Sequence, residues 1–144
     1  MASAESLTGG GLGRLLTETP GSSATYVGGV VVYATRLKID LLGVPEHVVA
    51  QHGVVSAECA LAMARGVREV TGATYGVSTT GVAGPDRQEG KAAGTVFVGL
   101  VGPGTTTAVA LELVGPRSEV RDRTCLEALS ALSAILTGNN GGLG

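Results

Sequence analysis

The spacing of apolar and polar positions changes period several times along the 144 residues, and each change marks an element. Leu12, Leu15 and Leu16 recur at helical spacing and stop at Pro20-Gly21-Ser22-Ser23, which predicts a helix entered from the loop Ser6-Leu7-Thr8-Gly9-Gly10-Gly11. Gly28 to Tyr33 (GGVVVY) is a β-branched run bounded by glycine, the pattern of a strand buried on both faces. Leu37, Leu41 and Leu42 form the next helical stripe, and Gly43 ends it. Val44 to Val55 reads as a connecting turn or a short helical piece. Ser56 caps a longer helix over Ala57 to Thr71, with Leu61, Ala64, Val67 and Val70 as its stripe and Gly72 as its stop.

Tyr75 to Thr80 (YGVSTT) predicts a strand that runs into Gly81-Val82-Ala83-Gly84-Pro85-Asp86, a stretch no regular element tolerates, and then a polar loop from Arg87 to Lys91. Gly94 to Val101 and Thr107 to Val114 flank Gly102-Pro103-Gly104 and read as a hairpin or a pair of neighbouring strands. Ser118 is the expected cap of a last helix, Glu119 to Thr137, with Val120, Leu129, Leu132 and Leu136 on its apolar face. Residues 138–144 are expected to form a disordered tail. This order of elements predicts an α/β (or α+β) sandwich, a central mixed β-sheet covered by helices, in a single domain over residues 1–137. A serine turn that leads into a helix ordinarily hangs from a strand. Only Met1-Ala2-Ser3 precedes this one, so the first strand is expected to be cut short.

Composition narrows the function classes. Hydrophobic residues make up 44% of the chain and charged residues 15%, yet no apolar run approaches the ~20 residues needed to span a bilayer, so no membrane association is expected. Ten Lys+Arg against twelve Asp+Glu are scattered, leaving no electrostatic footprint for nucleic acid. With one Phe, three Tyr and no Trp, stacking platforms for single strands are missing as well. Cys59 and Cys125 fall inside helical patterns without the close pairing of a metal knuckle or redox motif, so both read as buried thiols. No charged-then-apolar leader precedes the serine loop, and a cytoplasmic location is the expectation.

Several constellations carry candidate chemistry. The glycine loop after Ser6 points backbone amides and a helix dipole at its mouth, but it lacks the spacing of a P-loop or a dinucleotide fingerprint. A plain helix entry capped by Ser6 or Thr8 accounts for it equally well. Ser78-Thr79-Thr80-Gly81-Val82-Ala83-Gly84 places three hydroxyls and a small-residue turn at a strand end, where open α/β sheets gather ligands; a tight turn is the alternative. A serine nucleophile needs a base, and His47 and His52, five apart, lie beside no serine motif and read as solvated. Lys38, one of two lysines, follows the GGVVVY strand closely enough to reach the same sheet end as Tyr33, although a solvated helix charge also explains it. The five-residue Tyr33–Lys38 spacing disfavours a short-chain dehydrogenase. Arg117 and Arg121 flank a helix start, as a phosphate or carboxylate site or as partners of surface salt bridges.

Taken in order, AESLTGG, GGVVVYATRLKIDLLGV, HGVVS, TTGVAGPD, GTVFVGL and GPRSEVR resemble the CinA C-terminal domain, the nicotinamide mononucleotide deamidase family, over residues 4 to about 137. The resemblance implies hydrolysis of the carboxamide of nicotinamide mononucleotide, without metal or other cofactor, by a protein that is expected to be a homodimer and whose partner is a small nucleotide. Carried over by motif, Ser6 is the nucleophile, Lys38 the base and Tyr33 a group that orients or relays the proton. Thr8, Gly9, Gly10, Thr80, Gly81, Ala83 and Gly84 line the substrate site, with the Gly9 and Gly10 amides near the oxyanion and Arg117 or Arg121 near the phosphate. The chain departs from the pattern at Lys91-Ala92-Ala93-Gly94-Thr95, where members commonly carry Lys-Pro-Val-Gly-Thr. A non-catalytic pyridine-nucleotide-binding module and a competence or DNA-damage accessory protein are the competing expectations.

Overall fold

The computed structural model describes residues 1–138; the tail expected to be disordered lies, beyond Gly138, outside the described residues. Ten elements follow one another: β1 (Ala2–Glu5), α1 (Gly11–Leu16), β2 (Gly28–Val31), α2 (Thr35–Leu42), α3 (Glu46–His52), α4 (Ala57–Thr71), β3 (Gly76–Gly81), β4 (Thr95–Gly102), β5 (Thr105–Glu112) and α5 (Arg117–Leu136). The five strands form one mixed sheet in the order β2-β1-β3-β4-β5. β1 pairs in parallel with β2 and β3, while β3/β4 and β4/β5 are antiparallel. The predicted α/β sandwich is therefore the observed one, with the hairpin reading of the last two strands included.

Two apolar layers hold helices on both faces of the sheet. On one face Leu42, Val54, Val55, Cys59, Met63 and Val67 pack over Ala2, Ala4 and Val32. On the other, Leu12 of α1 and Cys125, Ala128, Ala131 and Leu132 of α5 pack over Val77, Val98 and Leu100. Both cysteines are buried free thiols, as their setting in helical patterns implied. α4 lies almost in backbone contact with the sheet: a Cβ at Gly76 or Gly99 would stand 2.1 Å from the Ala64 carbonyl oxygen or 2.3 Å from that of Ala60. Among the described residues no helix is long and apolar enough to cross a membrane.

The first strand forms from the residues expected to supply it: the four residues of β1, Ala-Ser-Ala-Glu, are all buried and sit mid-sheet with partners on both sides. Small side chains suit this position because α4 presses on one face, and Ser3 and Glu5 turn to the other. β2 is not buried on both faces, contrary to its β-branched pattern. It forms a sheet edge, with β1 as its one neighbour and alternating half-buried and exposed residues. Helix boundaries shift in two places. α5 begins at Arg117 with Pro116 at the cap, whose carbonyl accepts the Val120 amide, and Ser118 makes no cap bond. Val44 to Val55 contains the helix α3. Ser56 caps α4 as expected, its side chain accepting the Cys59 amide at 3.1 Å. Three predicted stripe residues point outward: Leu41 is 51% exposed, Val70 60% and Leu136 47%. In α2 the buried positions are Lys38 and Leu42.

Candidate active site

β1 carries Glu5 and then Ser6 to the carboxyl end of the parallel strands, beside Thr79 and Thr80 of β3. The Ser6 amide donates to the Thr79 carbonyl at 3.0 Å, so the sheet itself fixes the serine. Five residues after Ser6 the chain enters α1, a strand-turn-helix arrangement closed by Gly10 with φ +104, a backbone conformation that a side chain would strain.

The glycine amides of this turn are not open to a ligand. The Glu5 carboxylate, 2% exposed, accepts the Gly10, Leu12 and Gly13 amides at 3.2, 2.8 and 3.0 Å and the Thr8 hydroxyl at 2.6 Å. An ionised carboxylate only accepts, so Thr8 donates to Glu5 and Thr79, 2.8 Å away, donates in turn to Thr8. The positive end of α1 is thus filled by the chain's own anion. The Gly9 amide is spent as well, on the Ser6 carbonyl at 3.1 Å. Thr8, Gly9 and Gly10 stand behind the cavity wall instead of lining it, and the expected use of Gly9 and Gly10 as oxyanion donors is not what their bonding allows. Among the described residues the amides of Leu7 and Thr8 make no hydrogen bond, and Leu7 lines the cavity next to Ser6.

Lys38 is 1% exposed, and its Nζ donates to Ser6 Oγ at 3.1 Å, to the Val32 carbonyl at 2.8 Å and to the Tyr33 carbonyl at 3.2 Å. No carboxylate lies within ion-pair distance of it among the described residues. Burial pulls its pKa below the ordinary 10.5, and the neighbouring Cys59 and Glu89 oppose this only in part. A neutral amine has two N–H groups and one lone pair. Two carbonyls take the two N–H groups, and the lone pair is left facing Ser6 Oγ. Cys59 stays a thiol, since burial pushes it up to about 11.

A cavity of about 400 Å³ opens over this pair, within the usual size of a small-molecule site. Its wall includes Ser6, Lys38, Tyr33, Thr80, Gly81, Ala83, Gly84 and Arg117. The Thr80 hydroxyl donates to the Val54 carbonyl at 2.7 Å. The Arg117 guanidinium spans the mouth, donating to the Gly84 carbonyl at 2.7 Å and the Tyr33 hydroxyl at 3.2 Å. Tyr33 therefore meets Lys38 through its backbone carbonyl, whereas its phenol, on a 61% exposed residue, meets Arg117. A proton relay through that phenol does not match this arrangement. Arg121 is outside the lining; its Nε donates to the Leu7 carbonyl at 2.9 Å and buttresses the Ser6 turn from behind. His47 and His52 are exposed on α3, with His52 3.7 Å from Glu58.

Sequence reasoning missed Glu5, Thr79 and Leu7. Glu5 had one visible signal, an acidic residue ahead of a glycine-rich helix start, where a carboxylate is favoured.

Comparison with known proteins gives a consistent result. The CinA C-terminal domain family matches residues 1–136. A CinA-like protein of Frankia casuarinae is 48% identical over 138 residues, 96% of this chain and 32% of that protein. A putative competence-damage inducible protein of Halalkalibacterium halodurans is 49% identical over 125 residues, 86% of this chain and 30% of that protein. The chain thus spans about a third of the length of these relatives. Among solved structures, competence damage-inducible protein A from Klebsiella pneumoniae superposes with a TM-score of 0.91 at 33% identity, covering 94% of this chain and 85% of the other. CihA from Agrobacterium tumefaciens superposes with a TM-score of 0.88 at 34% identity, covering 93% and 83%.

Proposed function

This chain belongs to the CinA C-terminal domain family, and from that membership and the geometry around Ser6 we propose that it is an amidohydrolase converting nicotinamide mononucleotide to nicotinic acid mononucleotide and ammonia. The observation that carries the reading is the buried Lys38 amine 3.1 Å from Ser6 Oγ, with its other two contacts taken by carbonyls. A buried lysine without a counter-carboxylate is poised to be a base, and a serine hydroxyl needs one to attack.

In the reaction, neutral Lys38 takes the Ser6 proton as Oγ attacks the carboxamide carbon. The resulting oxyanion is met by the free amide of Leu7, which lines the cavity beside Ser6, and one such preorganised donor is worth about 3 kcal/mol of barrier. The Lys38 ammonium then hands its proton to the departing nitrogen, which leaves as ammonia. A water molecule, deprotonated by the same amine, hydrolyses the acyl-Ser6 ester, releases the carboxylate product and restores the hydroxyl. Arg117, already at the mouth, supplies positive charge for the nucleotide phosphate.

Incubation with nicotinamide mononucleotide and assay of ammonia tests the reading. Turnover by the wild type that disappears in Ser6→Ala is expected; equal turnover by both removes Ser6 from the mechanism. The competing view of a non-catalytic binding module drew its motive from a shortened first strand, and the residues of β1 are paired on both sides and hold Ser6 in place. The accessory view has the names of relatives in its favour, while the basic residues of this chain are scattered.

A further inference from the structure

The turn that follows Ser6 has three consecutive carbonyls, and two of them are held by the turn itself. Ser6 accepts the Gly9 amide at 3.1 Å, and Thr8 accepts the Gly11 amide at 3.0 Å. Leu7, between them, has no backbone donor among the described residues. Its carbonyl is taken by the Arg121 side chain, whose Nε donates at 2.9 Å from α5, 114 residues along the chain. The same guanidinium lies against the turn at Gly9, where an added Cβ would stand 3.0 Å from Nη2. The Leu7 side chain, 3% exposed, is buried in a cluster with Ala83, Val96, Leu113 and Val120. Val120 and Arg121 are adjacent near the start of α5, so this helix secures Leu7 both by its side chain and by its carbonyl. Arg121 is half-buried and has no carboxylate within ion-pair distance among the described residues. A surface charge pair therefore does not account for its position.

Resting on the Ser6 acyl-transfer reading above, we propose that Arg121 is the positioning residue of the oxyanion site. Two peptide planes meet at Leu7. The Ser6–Leu7 peptide is planar and trans, so the bond from Gly9 to its carbonyl turns the Leu7 N–H to the opposite side. The next peptide, Leu7–Thr8, is fixed through its carbonyl by Arg121. With both planes held, φ and ψ of Leu7 are set, and its unpartnered amide keeps one direction beside Ser6 at the cavity wall. Without Arg121 the second plane is free to turn in search of another donor, and the amide loses that direction. A donor stabilises developing charge fully only when it is in place beforehand. Arg121 stands outside the cavity lining, so it acts on the rate of acyl transfer and not on the affinity for substrate.

Two substitutions of similar length separate the hydrogen bond from the bulk of the side chain. In Arg121→Gln the amide nitrogen takes the place of Nε and can donate to Leu7, whereas Arg121→Met fills the space without a donor. Wild type and both variants are assayed for ammonia from nicotinamide mononucleotide across pH. They are also assayed for the rate at which a fluorophosphonate labels Ser6 with loss of fluoride, read by peptide mass spectrometry. Arg121→Met should lose about tenfold or more in kcat and in labelling rate, with KM within about twofold and the pH of the ascending limb unmoved. Arg121→Gln should recover most of that loss. Arg121→Ala takes the place of the Met variant if the latter does not fold. Equal rates in the Gln and Met variants, a loss confined to KM, or a displaced limb overturns the proposal and leaves Ser6 as nucleophile. If the wild type takes the label yet releases no ammonia, the labelling rates decide. A wild type that releases no ammonia and takes no label removes the Ser6 reading, and the part of Arg121 with it.

Discussion

If the positive end of α1 is occupied by Glu5, that carboxylate should matter to stability far more than its single negative charge suggests. It gathers four donors, and two of those contacts, from Thr8 Oγ1 and the Leu12 amide, are fully buried. Hydrogen bonds to a charged group are worth about 1.5–3 kcal/mol each, and a buried donor left without a partner costs about 1–3 kcal/mol. Counting only the two buried contacts, Glu5→Ala should lose roughly 3–6 kcal/mol, a large share of the 5–15 kcal/mol typical of a domain. Glu5→Gln is milder. Its remaining oxygen still serves Thr8, Gly10 and Leu12, but its NH₂ replaces the acceptor of the Gly13 amide, an opposition of donors worth about 2 kcal/mol. In urea melts monitored by circular dichroism the Gln variant should move the midpoint down by about 1 M at an unchanged slope. If both variants unfold within about 0.5 kcal/mol of the wild type, Glu5 is not closing the helix, and the exclusion of the Gly10 amide from oxyanion binding loses its basis.

Lys38 has a lowered pKa in the folded protein, so between that value and 10.5 the unfolded chain binds more protons; stability should rise with pH through this window, by at most ~1.4 kcal/mol per pH unit, and Lys38→Met should flatten the slope in melts at stepped pH. The same group sets the ascending limb of kcat/KM, which should lie below pH 10.5 and vanish with activity in Lys38→Met. Tyr33→Phe should leave the pH of that limb in place, because the phenol touches Arg117 and the lysine meets only the backbone carbonyl; a displaced limb would restore the relay. Arg117→Ala should raise KM for the nucleotide about tenfold or more, with a smaller effect on kcat, in steady-state kinetics.

The layers of the fold were legible wherever burial follows period. Helix α4 announces itself by a capping serine and a terminal glycine, and the β4–β5 hairpin by two β-branched runs around Pro103-Gly104. β1 was hidden because its position between two strands and under α4 selects small or polar residues, Ala-Ser-Ala-Glu, which carry no strand signature. β2 misled in the opposite direction, since three valines in a row read as a central strand although the chain sits at an edge. In the site, the burial of Lys38 was invisible to a count of apolar residues, because the buried stripe of α2 runs through the lysine and Leu42 four residues on. The family resemblance supplied what period could not, by drawing Ser6 and Lys38 together before any distance was known. It assigned the Gly9 and Gly10 amides to substrate, and only the geometry of the turn shows them already engaged, Gly10 by Glu5, one residue ahead of the serine, and Gly9 by the Ser6 carbonyl.

The central claim is that Ser6 becomes acylated by a carboxamide with Lys38 as its base. Acid quenching of the protein during exposure to nicotinamide mononucleotide, followed by intact-mass and peptide analysis, tests it directly. A mass gain of one nicotinate mononucleotide acyl group on the peptide bearing Ser6, appearing with ammonia and absent from Lys38→Met, is the predicted result. Ammonia released by a wild-type protein whose Ser6 never carries the acyl group, or carries it equally in Lys38→Met, would contradict it.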